Sequence, residues 1–79
     1  AEIMEAFAVQ ALACIDGAGL DPARVNRHGG ALARGHPIGA SGAILAVRLF
    51  HDLQLRGGTG LAAIAAAGGL GTAALLQAK

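Results

Sequence analysis

Tryptophan and tyrosine are absent from this 79-residue chain, cysteine and methionine occur once each, and proline twice. A single cysteine, Cys14, excludes an internal disulfide and gives no sign of an oxidising compartment. No stretch of about 18 uninterrupted apolar residues is present, so no membrane-spanning helix is expected. Nor does a basic leader with an apolar run and cleavage site open the chain; a cytoplasmic setting is the expectation. Charged residues make up 14% and the six Lys/Arg are scattered along the sequence with a net charge of +1, which speaks against a nucleic-acid partner. Large apolar residues are also few. Leu, Ile, Val, Phe and Met total twenty-two, against twenty alanines and thirteen glycines. A domain of this size buries only about 60% of the surface its unfolded chain exposes, and each alanine adds little at ~25 cal/mol per Å². The chain is therefore expected to dock on something else or to be a piece of a larger domain. Its start at Ala1-Glu2-Ile3-Met4, inside a helical pattern without a cap, fits a fragment.

What is present reads as an α/β chain. Met4, Phe7, Leu12 and Ile15, with Ala8 and Ala11 between them, keep the spacing of one helix face. Asp16-Gly17-Ala18-Gly19 ends that helix. Asp21-Pro22 starts a turn, and Val25 to His28 is a short extended candidate. Ser41 is placed to cap a second helix, with Leu45, Leu49, Leu53, Ala46 and Phe50 on one face and Arg48, His51, Asp52 and Arg56 on the other. Gly57-Gly58 closes it. Leu61 to Ala67 and Thr72 to Leu76 are continuous apolar runs around Gly68-Gly69-Leu70-Gly71, the pattern of a β-hairpin buried on both faces with its first strand central. The expected architecture is two helices packed on a mixed sheet that ends in a hairpin.

Between the helices lies RHGGALARGHPIGASG, residues 27 to 42, with five glycines in sixteen positions and a histidine set against a proline at His36-Pro37. Glycines before a helix suit a phosphate site. The spacing here is neither G-x-G-x-x-G nor G-x4-G-K-[ST], and no lysine lies nearby. His28, His36 and His51 lack the paired spacing of a zinc site, and structural hydrogen bonds are the expectation for His28 and His51.

The segment Asn26-x-His28-Gly29-Gly30-x-x-Ala33-x-Gly35-His36-Pro37-x-Gly39-x-Ser41-Gly42 resembles the thiolase signature NxNGGxxAxGHPxGxSG. Met4-Glu5-Ala6-Phe7-Ala8 resembles the family's NEAFA motif, and Ala65-x-Ala67-Gly68-Gly69-Leu70-Gly71 its CxGGGxG motif. The three blocks keep family order, so the resemblance covers residues 1–79 as the last part of a thiolase carboxy-terminal domain. It implies that His36 activates a nucleophilic cysteine and helps form an oxyanion hole for a thioester oxygen, chemistry an imidazole suits near neutral pH. Gly35, Ala67 and Gly68 fall at motif positions around the oxyanion sites. Ala6 and Phe7 become substrate-binding candidates, with packing in the helix core as the alternative for Phe7. The substrate implied is a coenzyme A thioester, with no separate cofactor and no metal. The implied partners are the remainder of a thiolase or a partner chain, in a homo-oligomer.

Three positions depart from the family pattern. Met4 replaces the asparagine that positions a water, and its thioether is at best a weak acceptor. Ala65 replaces the proton-shuttling cysteine. Ala67 keeps the backbone N–H of the first motif glycine but adds a methyl group. The family's acylated cysteine lies outside the segment, and Cys14 matches no motif, so the chain has a base without its nucleophile. Two readings stand: part of an acetyl-CoA C-acyltransferase that condenses or thiolytically cleaves acyl-CoA thioesters, or a degenerate thiolase-like protein that binds acyl-CoA without thiolysis.

Overall fold

A computed structural model describes residues 1–79. Its sheet is mixed: β1 (Glu2–Ile3) pairs parallel with β2 (Thr59–Ala66), and β2 pairs antiparallel with β3 (Leu70–Gln77), which makes β2 the central strand. The register sets Glu2 opposite Ala62 and Ala66 opposite Leu70, leaving a three-residue turn in which Gly68 and Gly69 take φ of 89° and 76°. Side chains bulkier than glycine are strained at such angles.

Three helices accompany the sheet: α1 (Ala8–Gly17), the single turn α2 (Ala31–Arg34) and α3 (Ser41–Arg56). Successive strand residues face opposite sides, and β1 uses both. Ile3 joins Ala11 and Val25 in an apolar cluster flanked by Ile15, Leu20 and Ala63 on the α1 side. Glu2 instead meets Arg48 of α3. On α3, Leu45, Leu49 and Leu53 recur at i, i+4 and are buried, with Leu49 only 2% exposed and lying against the Cα of Gly60. α1 ends in a Schellman arrangement. The Leu20 N–H reaches the Ile15 carbonyl at 2.9 Å and the Gly19 N–H that of Asp16 at 3.1 Å, with Gly19 at φ 67°.

Several expectations need correction. Residues 4 to 7 are not helical: the Met4 N–H prolongs the β1–β2 ladder to the Ala63 carbonyl (3.0 Å), and the Met4 carbonyl that a helix would pair with the Ala8 N–H instead accepts from Gln10, whose Oε1 also accepts the Ala6 N–H. Phe7 is consequently an extended N-cap residue, 73% exposed, and not part of a helix core. Of the segment Val25 to His28 only the first two residues run beside a strand: the Ala1 amine donates to Arg24 O (2.7 Å) and the Asn26 N–H to Ala1 O (2.9 Å). Ser41 does not cap α3. It is the helix's first residue, preceded by Ala40, which offers no side-chain cap. Arg48 belongs to the inward side of α3, held by Glu2 at 2.6 Å, whereas Ala46 and Phe50 are exposed. The hairpin is not buried on both faces: β3 is exposed along nearly its whole length and β2 from Ala65 onward.

Only ten residues are buried, while Phe7, Val9, Leu12, Ile38, Leu55, Leu70 and Leu75 are each more than half exposed. The 79-residue chain by itself is accordingly expected to sediment as a self-associated species or to melt without cooperativity. A monomer with a sharp thermal transition would show that this small core suffices.

Candidate functional site

The glycine-rich segment is held against β1 by polar contacts. Asn26, at φ 47°, a conformation asparagine tolerates better than most residues, pairs its carboxamide with both backbone groups of Ile3: Oδ1 accepts from Ile3 N (2.8 Å) and Nδ2 donates to Ile3 O (2.9 Å). The same Nδ2 donates to Glu5 Oε2 at 2.9 Å. The other Glu5 oxygen accepts the Leu32 N–H at 3.2 Å, a donor left open at the start of α2. Gly30, the residue before α2, has no side chain with which to do so. A Cβ there would also displace the Glu5 carboxylate from its present position. Arg48 adds a second tie, donating to Gly29 O at 2.9 Å while paired with Glu2.

His36 follows α2. Gly35 takes φ 98° and ψ 168°, a region open essentially to glycine alone. Pro37 restricts His36 itself to extended backbone. The Pro37 carbonyl accepts from Ala40 N (2.8 Å) and Ser41 N (2.9 Å), which winds the chain into α3. Ser41, 5% exposed, places its Oγ 2.5 Å from His36 Nδ1 and 3.2 Å from Pro37 O. The imidazole is exposed, and Nδ1 is its only engaged nitrogen.

Behind this loop lies a cavity of about 160 Å³ whose wall includes Met4, Gly30, Gly35, Pro37, Ser41 and Ile44. Two of the positions singled out from the sequence, Met4 and Gly35, therefore share one cavity with the serine that holds His36. Met4 is 5% exposed. Ala65, Ala67 and Gly68 sit exposed at the turn end of the hairpin, and Ala6 and Phe7 exposed ahead of α1; none of the five lines the cavity. Cys14 is exposed on α1 and accepts from Gln10 Nε2 at 3.3 Å. Neither His28 nor His51 makes the side-chain hydrogen bond expected of it; His51 meets the Phe50 ring edge-on at 5.4 Å between centroids. No group of three or more His, Cys, Asp or Glu is placed to hold a metal ion, and no helix is long and apolar enough to cross a membrane.

Sequence reasoning missed Glu5, Arg48 and the contact between Ser41 and His36. The close approach of Glu5 to Gly30 had a signal in the Gly29-Gly30 pair. The other two had none, since both turn on which side of a helix faces the loop.

In sequence comparison the family described as "Thiolase, C-terminal domain" matches residues 1–78. The cytosolic acetyl-CoA acetyltransferase of Mus musculus is 49% identical over 77 residues, 96% of this chain and 19% of that protein. The probable acetyl-CoA acetyltransferase of Mycolicibacterium smegmatis is 52% identical over 77 residues, 96% of this chain and 20% of its own length. The acetyl-CoA acetyltransferase of Cupriavidus necator is 48% identical over 79 residues, 99% of this chain and 20% of its own. The chain thus spans about a fifth of the length of the curated relatives it matches.

The Glu5 contacts yield a local test. In Glu5→Gln one carboxylate oxygen becomes an amide that must face either Asn26 or Leu32 with a donor. Hydrogen bonds to charged groups contribute about 1.5–3 kcal/mol, so amide exchange across residues 31–35 of the full-length protein should quicken about tenfold or more. Exchange at Leu49 and Leu53 should stay unchanged.

Proposed function

The chain belongs to the thiolase family, through its C-terminal domain, and we propose that it supplies the His36 imidazole to an acyl-CoA C-acyltransferase. That enzyme condenses or thiolytically cleaves acyl-CoA thioesters. The observation that carries the reading is an exposed imidazole engaged through Nδ1 alone, on a loop whose backbone is fixed on both sides by Gly35 and Pro37. A base of this kind takes the proton of a cysteine thiol: the S–H bond breaks, an N–H bond forms, and the electron pair stays on sulfur as thiolate. The resulting N–H then donates to the thioester oxygen as negative charge develops there. Cys14, exposed on α1 and bonded to Gln10, has no contact with His36, so the nucleophile is assigned to residues beyond these 79.

The remaining motif positions enter the same reading. Gly35 shapes the His36 backbone. Ala67 and Gly68 offer turn N–H groups to the second oxyanion site, and Ala6 and Phe7 lie on the acyl-CoA side. Coenzyme A enters only as a reactant, as the acyl thioester and, in thiolysis, as the free CoA thiol that accepts the acyl group; no metal and no further cofactor is proposed. The rest of the fold comes from the remainder of the polypeptide or a partner chain, within a homo-oligomer. A cytoplasmic setting is proposed alongside; the relatives' names include both cytosolic and mitochondrial proteins.

A second reading is favoured by two side chains. Ala65 has no transferable proton, and Met4, 5% exposed, brings a thioether where the family pattern has a carboxamide. Loss of a positioned acid–base group typically costs ~10² to 10⁴ in rate, and loss of an oxyanion donor ~10² to 10³. The two losses need not add. Under this reading the protein binds acyl-CoA and thiolyses it poorly.

The test is thiolysis of a short 3-ketoacyl-CoA by the full-length protein, beside a Met4→Asn, Ala65→Cys double variant. We expect acyl-CoA binding in both and a rate at least about 10²-fold higher in the variant. Equal, ordinary turnover in the two would mean that another residue supplies the proton.

A further inference from the structure

We propose that Ser41 is a positioning residue that holds the neutral His36 ring in its Nδ1–H tautomer and so makes Nε2 the basic nitrogen. This rests on the reading of His36 as the base. The argument begins at the Pro37 carbonyl, four residues before Ser41 and within reach of its hydroxyl, the back-bonding geometry available to serine in a helix. The Ser41 O–H donates there at 3.2 Å. Its single hydrogen is then used, and Oγ can meet His36 Nδ1, 2.5 Å away, only as an acceptor. The proton on Nδ1 follows.

The opposite tautomer needs Ser41 to turn its hydrogen toward Nδ1. That would set a lone pair of Oγ against the Pro37 carbonyl oxygen 3.2 Å away, an opposition of two acceptors that the Ala40 and Ser41 N–H bonds to the same carbonyl do not relieve, in a site where Ser41 is only 5% exposed. The arrangement also survives the reaction. When Nε2 takes a proton, Nδ1–H still donates to Oγ and the hydroxyl still donates to Pro37, so no group rotates between base and conjugate acid. In the opposite tautomer the hydroxyl would have to reverse each time the ring was protonated. Ser41 thus acts through His36, and its effect is to aim the basic nitrogen away from α3 toward the exposed side of the ring.

The direct test needs no activity. In full-length protein labelled with ¹⁵N-histidine, at alkaline pH where imidazole is neutral, long-range ¹H–¹⁵N correlation distinguishes a protonated ring nitrogen from an unprotonated one. His36 is assigned by its loss in His36→Asn. We expect a protonated Nδ1 and an unprotonated Nε2 in the unmodified protein, reversal in Ser41→Ala, and restoration in Ser41→Thr, which keeps a hydroxyl. In the Met4→Asn, Ala65→Cys background, Ser41→Ala should lower kcat by about tenfold to a hundredfold, the range over which the outer partners of a functional imidazole matter. KM for acyl-CoA should change little. An Nε2–H ring in the unmodified protein, or a tautomer unaffected by Ser41→Ala, overturns the proposal. An Nδ1–H ring in a protein that shows no thiolysis, even in the double variant, upholds the tautomer and removes the functional reading.

Discussion

The carboxamide of Asn26 occupies the outer edge of β1 as a neighbouring strand would, taking the N–H and the C=O of Ile3 at 2.8 and 2.9 Å. The placement of the glycine-rich segment starts from that pairing. β1 is two residues long and could not hold a second element by ladder hydrogen bonds alone. Asn26 supplies the missing edge, and its Nδ2 also fixes Glu5, which in turn completes the start of α2. Arg48 closes the circuit from the opposite face through Glu2 and Gly29. Glu2 and Arg48 are both largely withdrawn from water, and removing one partner of a buried pair costs about 3–5 kcal/mol because the other charge is stranded. The loop before His36 is thus tied by polar groups, whose geometry is directional, where an apolar contact would let it slide.

Legibility from sequence tracked the range of the interaction. The i, i+4 leucines at 45, 49 and 53 and the Gly57 that ends α3 at φ 70° are local signals, and both were readable. So was the hairpin, because two apolar runs around a glycine turn need no third element to define them. β1 was not readable, since two residues carry no period. Met4 completed a helical pattern with Phe7, yet its ladder bond to Ala63 continues the strand and its carbonyl is taken by Gln10, so the helix begins at Ala8. Ser41 shows the same limit at the site. A serine just before a periodic apolar run has the signature of an N-cap; here the hydroxyl lies one residue too far into the helix and turns to His36 and Pro37.

The expected burial of the hairpin failed for a reason of supply. α1 and α3 have enough large side chains to cover β1 and the first half of β2, and no helix remains for β3. Alanine and glycine along both strands present a smooth surface suited to close approach by another layer. Relatives about five times this length have the material for one. Exposure of Leu70 and Leu75 marks the face of the sheet that these 79 residues leave uncovered.

The motif positions divide according to how much of the fold each one needs. His36, Pro37 and Ser41 lie within six residues, and their contacts close in the turn that leads into α3, among residues 36 to 41. Met4 and Ala65 are set by the sheet instead: Met4 by its bond to Ala63, Ala65 by its register with Gly71. An imidazole held by neighbouring residues draws its geometry from local contacts, while positions hung on a partly covered sheet depend on what covers it. Of the three positions that differ from the thiolase signature, Met4 and Ala65 fall in the second group and Ala67 lies in the turn that joins β2 to β3. Met4 and Ala65 are thus positioned by contacts distant in sequence, whereas the His36–Ser41–Pro37 contacts are built from neighbouring residues.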